Sequence, residues 1–381
     1  ISLKFYRIKL QILSFLYSIK LFLSKVKLRI GIALGLVKSI IIMPYIGFGN
    51  EKEVYLLGRV IRNRDVGSAT KDDSSFKNFK KMYKRFMTWK IPNVRIRASF
   101  EGKYWTTLTD EEGYFEFQIK DHSFPKTDYS WKVFELELID QVLTIQGEVK
   151  SETNVFVPTK LVEYGIISDV DDTIVPTGAT RFWEMVKTTF LGNAYSRIPF
   201  SGVAAFYQAL AKGTDGKENN PLFYVSSSPW NLYDFLLELL VVHQIPKGPL
   251  MLRDLGLSRE QFIAGSHFDH KLNQVEKIFR LIPDISFILI GDSGQYDPEI
   301  YLEVIKDFPG RVKRIYIRHV AEKRKEEVLQ IQATMLQLGV QMLLVSDTVE
   351  AAEDALAQGW IREVDVQYII EEKRESLSNH H

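Results

Sequence analysis

The sequence contains no cysteine. That excludes disulfide scaffolds, Cys-ligated zinc, iron–sulfur clusters and cysteine nucleophiles, and it fits a reducing, cytoplasmic setting. Acidic residues are missing from positions 1–50, where eight Lys/Arg stand alone (Lys4, Arg7, Lys9, Lys20, Lys25, Lys27, Arg29 and Lys38). The formal net charge of +1 hides this split, because the rest of the chain holds 41 basic against 48 acidic residues, a net of −7. A basic end on an acidic body points to an anionic partner for that end, and no nucleic acid is expected. A long apolar run is also lacking. Leu10–Ile19, ten residues, is the longest uncharged stretch of the first thirty, whereas a membrane span needs about 20. Scattered lysines without a small-residue cleavage site speak against a signal peptide. What is present is ordinary for a globular chain: 45% hydrophobic and 25% charged residues over 381 positions, enough for two or three domains.

The first segment, 1–44, is basic and amphipathic. Lys4, Arg7, Gln11, Ser14 and Ser18 recur at helical steps as a narrow polar stripe, while Phe5, Ile8, Ile12, Phe15, Leu16, Ile19 and Leu23 cover the opposite face. Such a helix suits an anionic membrane surface, which would make the protein peripheral to a membrane. Packing on the protein's own core is the alternative. From 45 to 160 the period shortens. Glu53–Val60, Asn93–Phe100, Lys103–Leu108, Tyr114–Ile119 and Phe134–Leu138 read as short strands, with Gly113 closing a turn. They predict a small antiparallel β-sandwich without a catalytic cluster, interrupted by an exposed insertion over Arg62–Lys90.

Residues 161–381 alternate apolar strands with helices. The strands are Tyr164–Ile167, Leu222–Val225, Pro249–Leu252, Phe287–Ile290, Arg314–Ile317 and Met342–Val345. The helices are Ala179–Leu191, Val203–Ala211, Asn231–His243, Lys271–Leu281, Pro298–Phe308 and Ala321–Leu338. This pattern predicts an α/β fold with a doubly wound parallel sheet, whose sites lie beyond the carboxyl ends of the strands. Asp169-Val170-Asp171-Asp172-Thr173 follows the first strand, and Ser226-Ser227-Ser228-Pro229-Trp230 the second. Lys271 opens a helix, and Gly291-Asp292-Ser293-Gly294-Gln295-Tyr296-Asp297 follows the fourth strand. Taken singly, these are an acidic helix cap, a serine turn, a surface lysine and an Asx turn. Taken in order, they place two acids, a hydroxyl, a fixed positive charge and a metal-binding carboxylate at strand ends, with Asp297 supporting the metal or the lysine.

That ordered set resembles the haloacid dehalogenase superfamily of phosphohydrolases. The segments YGIISDVDDT (164–173), FSGVAAFY (200–207), YVSSSPW (224–230), Leu252-Arg253-Asp254 and GDSGQYDPEIY (291–301) resemble the actin-patch-protein type of phosphatidate phosphatase. The resemblance covers 161–345, extends more loosely over the β-rich part, and leaves the first forty residues unexplained. It implies Mg²⁺-dependent hydrolysis of phosphatidate or a related lipid phosphate through an aspartyl phosphate. Asp169 would be the nucleophile, and Asp171 would protonate the leaving oxygen and then deprotonate water. Asp169, the Asp171 carbonyl and Asp292 would bind Mg²⁺, with Asp297 in support. Thr173, Ser226, Ser227 and Lys271 would hold the phosphoryl group. A phosphatase for a soluble or protein-borne phosphate, or a membrane-surface scaffold with an idle fold, are the rival readings.

Only 26 residues separate Thr173 from Phe200, and 44 separate Ser226 from Lys271. Neither gap has room for a large cap domain, so an open site is expected; Phe182, Trp183, Phe190 and Tyr195 in the first gap either touch acyl chains there or pack in the core. Gly291–Gly294 mimics the serine-protease GDSG, but it ends a parallel strand. His267 and His270 lack the further ligands of a metal site.

Overall fold

The computed structural model describes residues 19, 22–23, 26, 28–63, 80–81, 83–84, 89–121, 130–174, 199–216, 219–253 and 267–378. The polar stripe at 4–18, most of the insertion after Arg62, the helix read at 179–191 and the four aromatics between 182 and 195 lie outside them.

Eight strands make the first sheet: β1 (Ile40–Pro44), β2 (Gly47–Gly49), β3 (Glu53–Arg62), β4 (Arg95–Phe100), β5 (Lys103–Leu108), β6 (Tyr114–Lys120), β7 (Trp131–Leu138) and β8 (Lys150–Phe156). The order is β1-β3-β2-β8-β7-β4-β5, with β6 paired to β3. Period-two alternation builds it: Phe115, Phe117 and Ile119 of β6 and Phe134, Leu136 and Leu138 of β7 turn inward, while Glu116, Glu135 and Glu137 do not. Glu101 and Gly102 join β4 to β5 with φ of 46° and 79°, the backbone of a tight hairpin. The antiparallel expectation holds for every pair but one, since β2 runs parallel to β8. Sequence reading missed β1, β2 and β8. Gly47-Phe48-Gly49 is too short to alternate, and Lys150–Phe156 is polar over its first half. Leu28 and Ile32 pack on the core of this sheet, and Trp89 lies so close to Gly31 that a Cβ there would meet its ring at 1.7 Å.

The second sheet is parallel throughout and comprises β9 (Tyr164–Asp169), β10 (Leu222–Pro229), β11 (Leu250–Arg253), β12 (Ser286–Asp292), β13 (Val312–Arg318) and β14 (Met342–Val345). Its strands are apolar on both faces because both are covered. Tyr164 and Ile166 face a layer built on α1 (Val203–Lys212) and α2 (Tyr233–Val242). Ile167 faces a layer of α3 (His267–Leu281), α4 (Asp297–Asp307) and α5 (Lys325–Gln337). The helices α6 (Thr348–Ala357) and α7 (Glu363–Ser378), not foreseen in the sequence, close the first layer. The spatial order is β11-β10-β9-β12-β13-β14. The chain winds outward from β9 to one side, then returns to β12 and winds to the other. The crevice at the carboxyl ends of β9 and β12 is therefore the topological switch point, where sheets of this kind bind ligands.

The two sheets meet beside that edge. Tyr45 stacks on Trp230 with ring centroids 4.4 Å apart, the Ile46 N–H donates to Tyr233 Oη at 2.9 Å, and Phe48 stands edge-on to Phe223. Arg59 Nη1 donates to Asn231 Oδ1 at 3.2 Å. The contacts to Trp230, Asn231 and Tyr233 grip the segment just after the three serines of β10, and Phe223 is held near the start of that strand.

Candidate active site

The buried run of β9 ends on Asp169, and the turn beyond it is tight enough to hold Asp172 at a φ of 58°. Asp tolerates this left-handed conformation better than most residues. Asp169 is 1% exposed. Its Oδ2 accepts from Thr173 Oγ1 at 3.2 Å. Its Oδ1 lies 2.8 Å from Lys271 Nζ as an ion pair.

Lys271 stands in the second turn of α3, because the helix begins at His267 and not at the lysine. Its Nζ also pairs with Asp297 Oδ1. Asp297 opens α4, and its Oδ2 accepts from the Asp292 N–H at 3.0 Å. Residue 291 must be glycine for this arrangement, since a Cβ there would fall 2.5 Å from Asp297 Oδ2. Asp292 ends β12, and its Oδ1 accepts from the N–H groups of Gly294 at 2.6 Å and Gln295 at 3.0 Å. Carboxylate oxygens of Asp169, Asp292 and Asp297 lie within 4.8 Å of one another.

Asp171 faces the other way. Its Oδ2 accepts from Ser226 Oγ at 2.8 Å and Ser228 Oγ at 3.1 Å, and Ser226 Oγ accepts from the Ser228 N–H at 2.9 Å. Ser227 sits between them, half-buried. The carbonyl of Asp171 stays on the side of the acid cluster, 3.4 Å from Gln295 Nε2, which also reaches Asp292 Oδ2 at 3.5 Å. All eight residues singled out in the sequence thus gather at one sheet edge. Sequence reasoning passed over Ser228, Gln295 and the Ser168–Tyr207 hydroxyl pair next to Asp169, at 2.7 Å. Tyr207 was legible only as part of FSGVAAFY. Ser293 of the protease-like tetrapeptide is buried and accepts from the N–H groups of Val320 and Ala321, so it serves as a brace.

The electrostatics are lopsided. Burial pushes the Asp169 carboxyl well above the carboxylate range, and Lys271 opposes it only in part. Burial and Asp297 push Asp292 up to about 7. Burial alone would lower the Lys271 ammonium, but Asp169, Asp297 and Asp292 outweigh it and hold the lysine charged. One cation among three close carboxylates leaves negative charge to be met from outside. The donors are all carboxylate oxygens, and one, Asp169 Oδ1, is buried with the Lys271 ammonium beside it. This set fits a hard divalent cation.

Residues 164–319 match the family described as Phosphatidate phosphatase APP1, catalytic domain. The match runs from the first residue of β9 to just past β13 and includes every residue of the site. Phosphatidate phosphatase APP1 of Saccharomyces cerevisiae is 32% identical over 177 residues, covering 46% of this chain and 29% of that protein. An uncharacterized protein of Schizosaccharomyces pombe is 28% identical over 236 residues, covering 60% of this chain and 37% of that one. The chain therefore spans about a third of the length of these curated relatives. Among solved structures, a carbohydrate acetylesterase from Xanthomonas citri is 13% identical with a TM-score of 0.28, covering 78% of this chain and 65% of that one. A likeness that weak carries no argument.

Proposed function

We propose that this protein, whose residues 164–319 match the catalytic-domain family of Phosphatidate phosphatase APP1, is a divalent-metal-dependent phosphatase of the haloacid dehalogenase type, hydrolysing phosphatidate to diacylglycerol and phosphate. The observation that carries the proposal is the Asp169–Lys271–Asp297–Asp292 cluster at the switch point, with Asp171 held apart on two serine hydroxyls.

Asp169 attacks the phosphorus atom, the bond from phosphorus to the glycerol oxygen breaks, and Asp171 delivers a proton to that oxygen. The two serine hydroxyls occupy Oδ2 of Asp171, which leaves Oδ1 to carry the proton. Asp171 then takes a proton from water as the water oxygen attacks the acyl phosphate, and phosphate leaves with Asp169 restored. Ser227 supplies a donor to the phosphoryl oxygens, joined by Ser226 and Thr173 as their hydroxyls turn from the carboxylates they cap in the free protein, and Lys271 supplies a fixed positive charge that Asp297 orients. Asp169, Asp292 and the Asp171 carbonyl would hold Mg²⁺, with Asp297 behind them. When bound, the cation keeps the carboxylates ionised and offsets charge on the phosphoryl oxygens.

The lipid reading has support at the amino end. Among the described residues no helix is long and apolar enough to cross a membrane. Phe22, Leu23, Ile30 and Leu34 are more than half exposed, on a segment whose Leu28 and Ile32 pack inward. An apolar outer face beside Arg29 and Lys38 suits peripheral binding to anionic lipid. The test is phosphate release with and without Mg²⁺ from phosphatidate vesicles and from glycerol 3-phosphate. Mg²⁺-dependent turnover favouring the vesicles is expected. Equal kcat/KM on both would shift the reading to a phosphatase for soluble or protein-borne esters. No turnover of either would leave a membrane-surface binding protein.

A further inference from the structure

We propose that Arg318 is a substrate-binding residue, donating its guanidinium to an anionic oxygen of the phosphomonoester; this rests on the phosphatase reading above. Arg318 ends β13, in register with Asp292 on the neighbouring strand. It lines a cavity with Thr173 and Tyr207. Thr173 is the residue that donates to Asp169, and Tyr207 is bonded to Ser168 next to it. The guanidinium therefore stands at the same sheet edge as the acids, one strand beyond Asp292.

Its own partners do not satisfy it. Nη2 donates to Thr348 Oγ1 at 3.0 Å, the Phe200 ring lies 4.2 Å below the guanidinium carbon, and Nε is buried with no acceptor. No carboxylate pairs with it among the described residues. Asp347 lines the same cavity but is taken, its Oδ2 by Lys373 and its Oδ1 by the N–H groups of Val349 and Glu350. The contrast with neighbouring arginines is plain. Arg314 pairs with Asp354, Arg324 with Glu299 and Glu327, and Arg311 donates to the carbonyls of Ile282 and Ile285. A largely desolvated guanidinium over an aromatic ring, with its Nε unpartnered among the described residues, is suited to receive an anion.

The charge of the site asks for one. Lys271 already faces three carboxylates. A divalent cation brings that cluster to neutrality, but a phosphomonoester arrives with two further negative charges. Arg318 is placed to meet part of this excess. Arg318 shares its cavity with Thr173, which donates to Asp169, so the oxygen it meets is assigned to the phosphoryl group, away from the acyl chains.

The test compares the unaltered chain with Arg318→Met and Arg318→Lys. Three quantities are measured: KM and kcat on p-nitrophenyl phosphate, the same on phosphatidate vesicles, and the Ki of inorganic phosphate. Arg318→Met should raise the phosphate Ki and both KM values about tenfold or more, with kcat changed far less, and Arg318→Lys should recover part of the loss. If the methionine variant does not fold, a raised Ki in the lysine variant carries the claim, and an unchanged Ki there overturns it. Unchanged Ki and KM in Arg318→Met also overturn it. A rise in KM on vesicles alone, with Ki intact, overturns the assignment to the phosphoryl group. Failure of the phosphatase reading looks different. The unaltered protein would then release no phosphate from either ester, while inorganic phosphate still raised its melting temperature through Arg318.

Discussion

Two buried charge clusters in this protein differ in how they are balanced. At the junction of the sheets, Arg59 and Lys90 flank Glu112, and Arg59 also reaches the Glu112 carbonyl at 3.0 Å, Asn231, and the face of Tyr114. Every charge there has an opposite neighbour. At the carboxyl edge of the parallel sheet, three carboxylates crowd one lysine, and burial raises Asp169 and Asp292 out of the carboxylate range. In the first, two cations share one carboxylate, and the surplus charge of Lys90, 23% exposed, is met by water. In the second, three carboxylates on one lysine lack positive charge, which a divalent cation would supply. Imbalance distinguishes the two better than burial, since both are buried.

Breaking the unbalanced cluster should cost activity and spare the fold. Asp169→Asn is expected to lower phosphate release by about 10³-fold or more while the melting temperature holds or rises, because a crowded negative charge is removed. Near-normal turnover would remove Asp169 from the mechanism. The balanced cluster should behave in the opposite way. Glu112→Ala leaves a buried arginine unpaired and should cost about 3 kcal/mol in a urea melt, with kcat per folded molecule close to that of the unaltered protein. A Glu112 variant of full stability and little activity would reverse the comparison.

Adding the missing charge is the next test. Mg²⁺ at about 100 times its Kd should stabilise the protein by about 2.7 kcal/mol, since it binds only the folded chain. Asp292→Asn should abolish most of that shift. A thermal shift that survives in Asp292→Asn would move the cation elsewhere.

The unbalanced cluster was legible in the sequence because its members follow strands. Asp169, Asp171, Ser226, Asp292 and Asp297 each stand just beyond or at the end of an apolar run, and parallel strands bring such ends together. The balanced cluster was not legible. Arg59 and Asn231 are 172 positions apart, and nothing local in either announces the other. The same holds for Tyr45 on Trp230, and for β8, which is polar in sequence yet lies between β2 and β7. Arg318 illustrates the middle case. In sequence it is one of many basic residues; register beside Asp292 and the absence of a carboxylate partner among the described residues single it out.

Asp347 offers the finest discrimination between balance and position. It stands at the same sheet edge as the acids and lines the Arg318 cavity, yet its charge is met: Oδ1 accepts from Val349 N–H at 2.7 Å at the start of α6, and Oδ2 from Lys373 Nζ at 2.6 Å. Burial works against its ionised form, but Lys373 and the helix N–H groups outweigh it and hold the carboxyl below its ordinary value. The folded chain therefore binds a proton here less readily than the unfolded chain. The stabilisation is complete above the unfolded value of about 4 and is lost as pH falls through the lower folded value. Lys373 is one-third exposed, so solvent screens the pair and its share is small, about 0.5 kcal/mol. Asp347→Asn keeps a helix cap and loses only the pair, and should narrow the stability difference between pH 7 and pH 3 slightly. Asp347→Ala loses the cap as well, about 1 kcal/mol in all. If balance and not position marks the functional acids, both variants keep kcat. A fall in kcat of tenfold or more in Asp347→Asn, with stability intact, would show that an acid at this edge takes part in the chemistry even when its charge is met, and the rule drawn from the two clusters would fail.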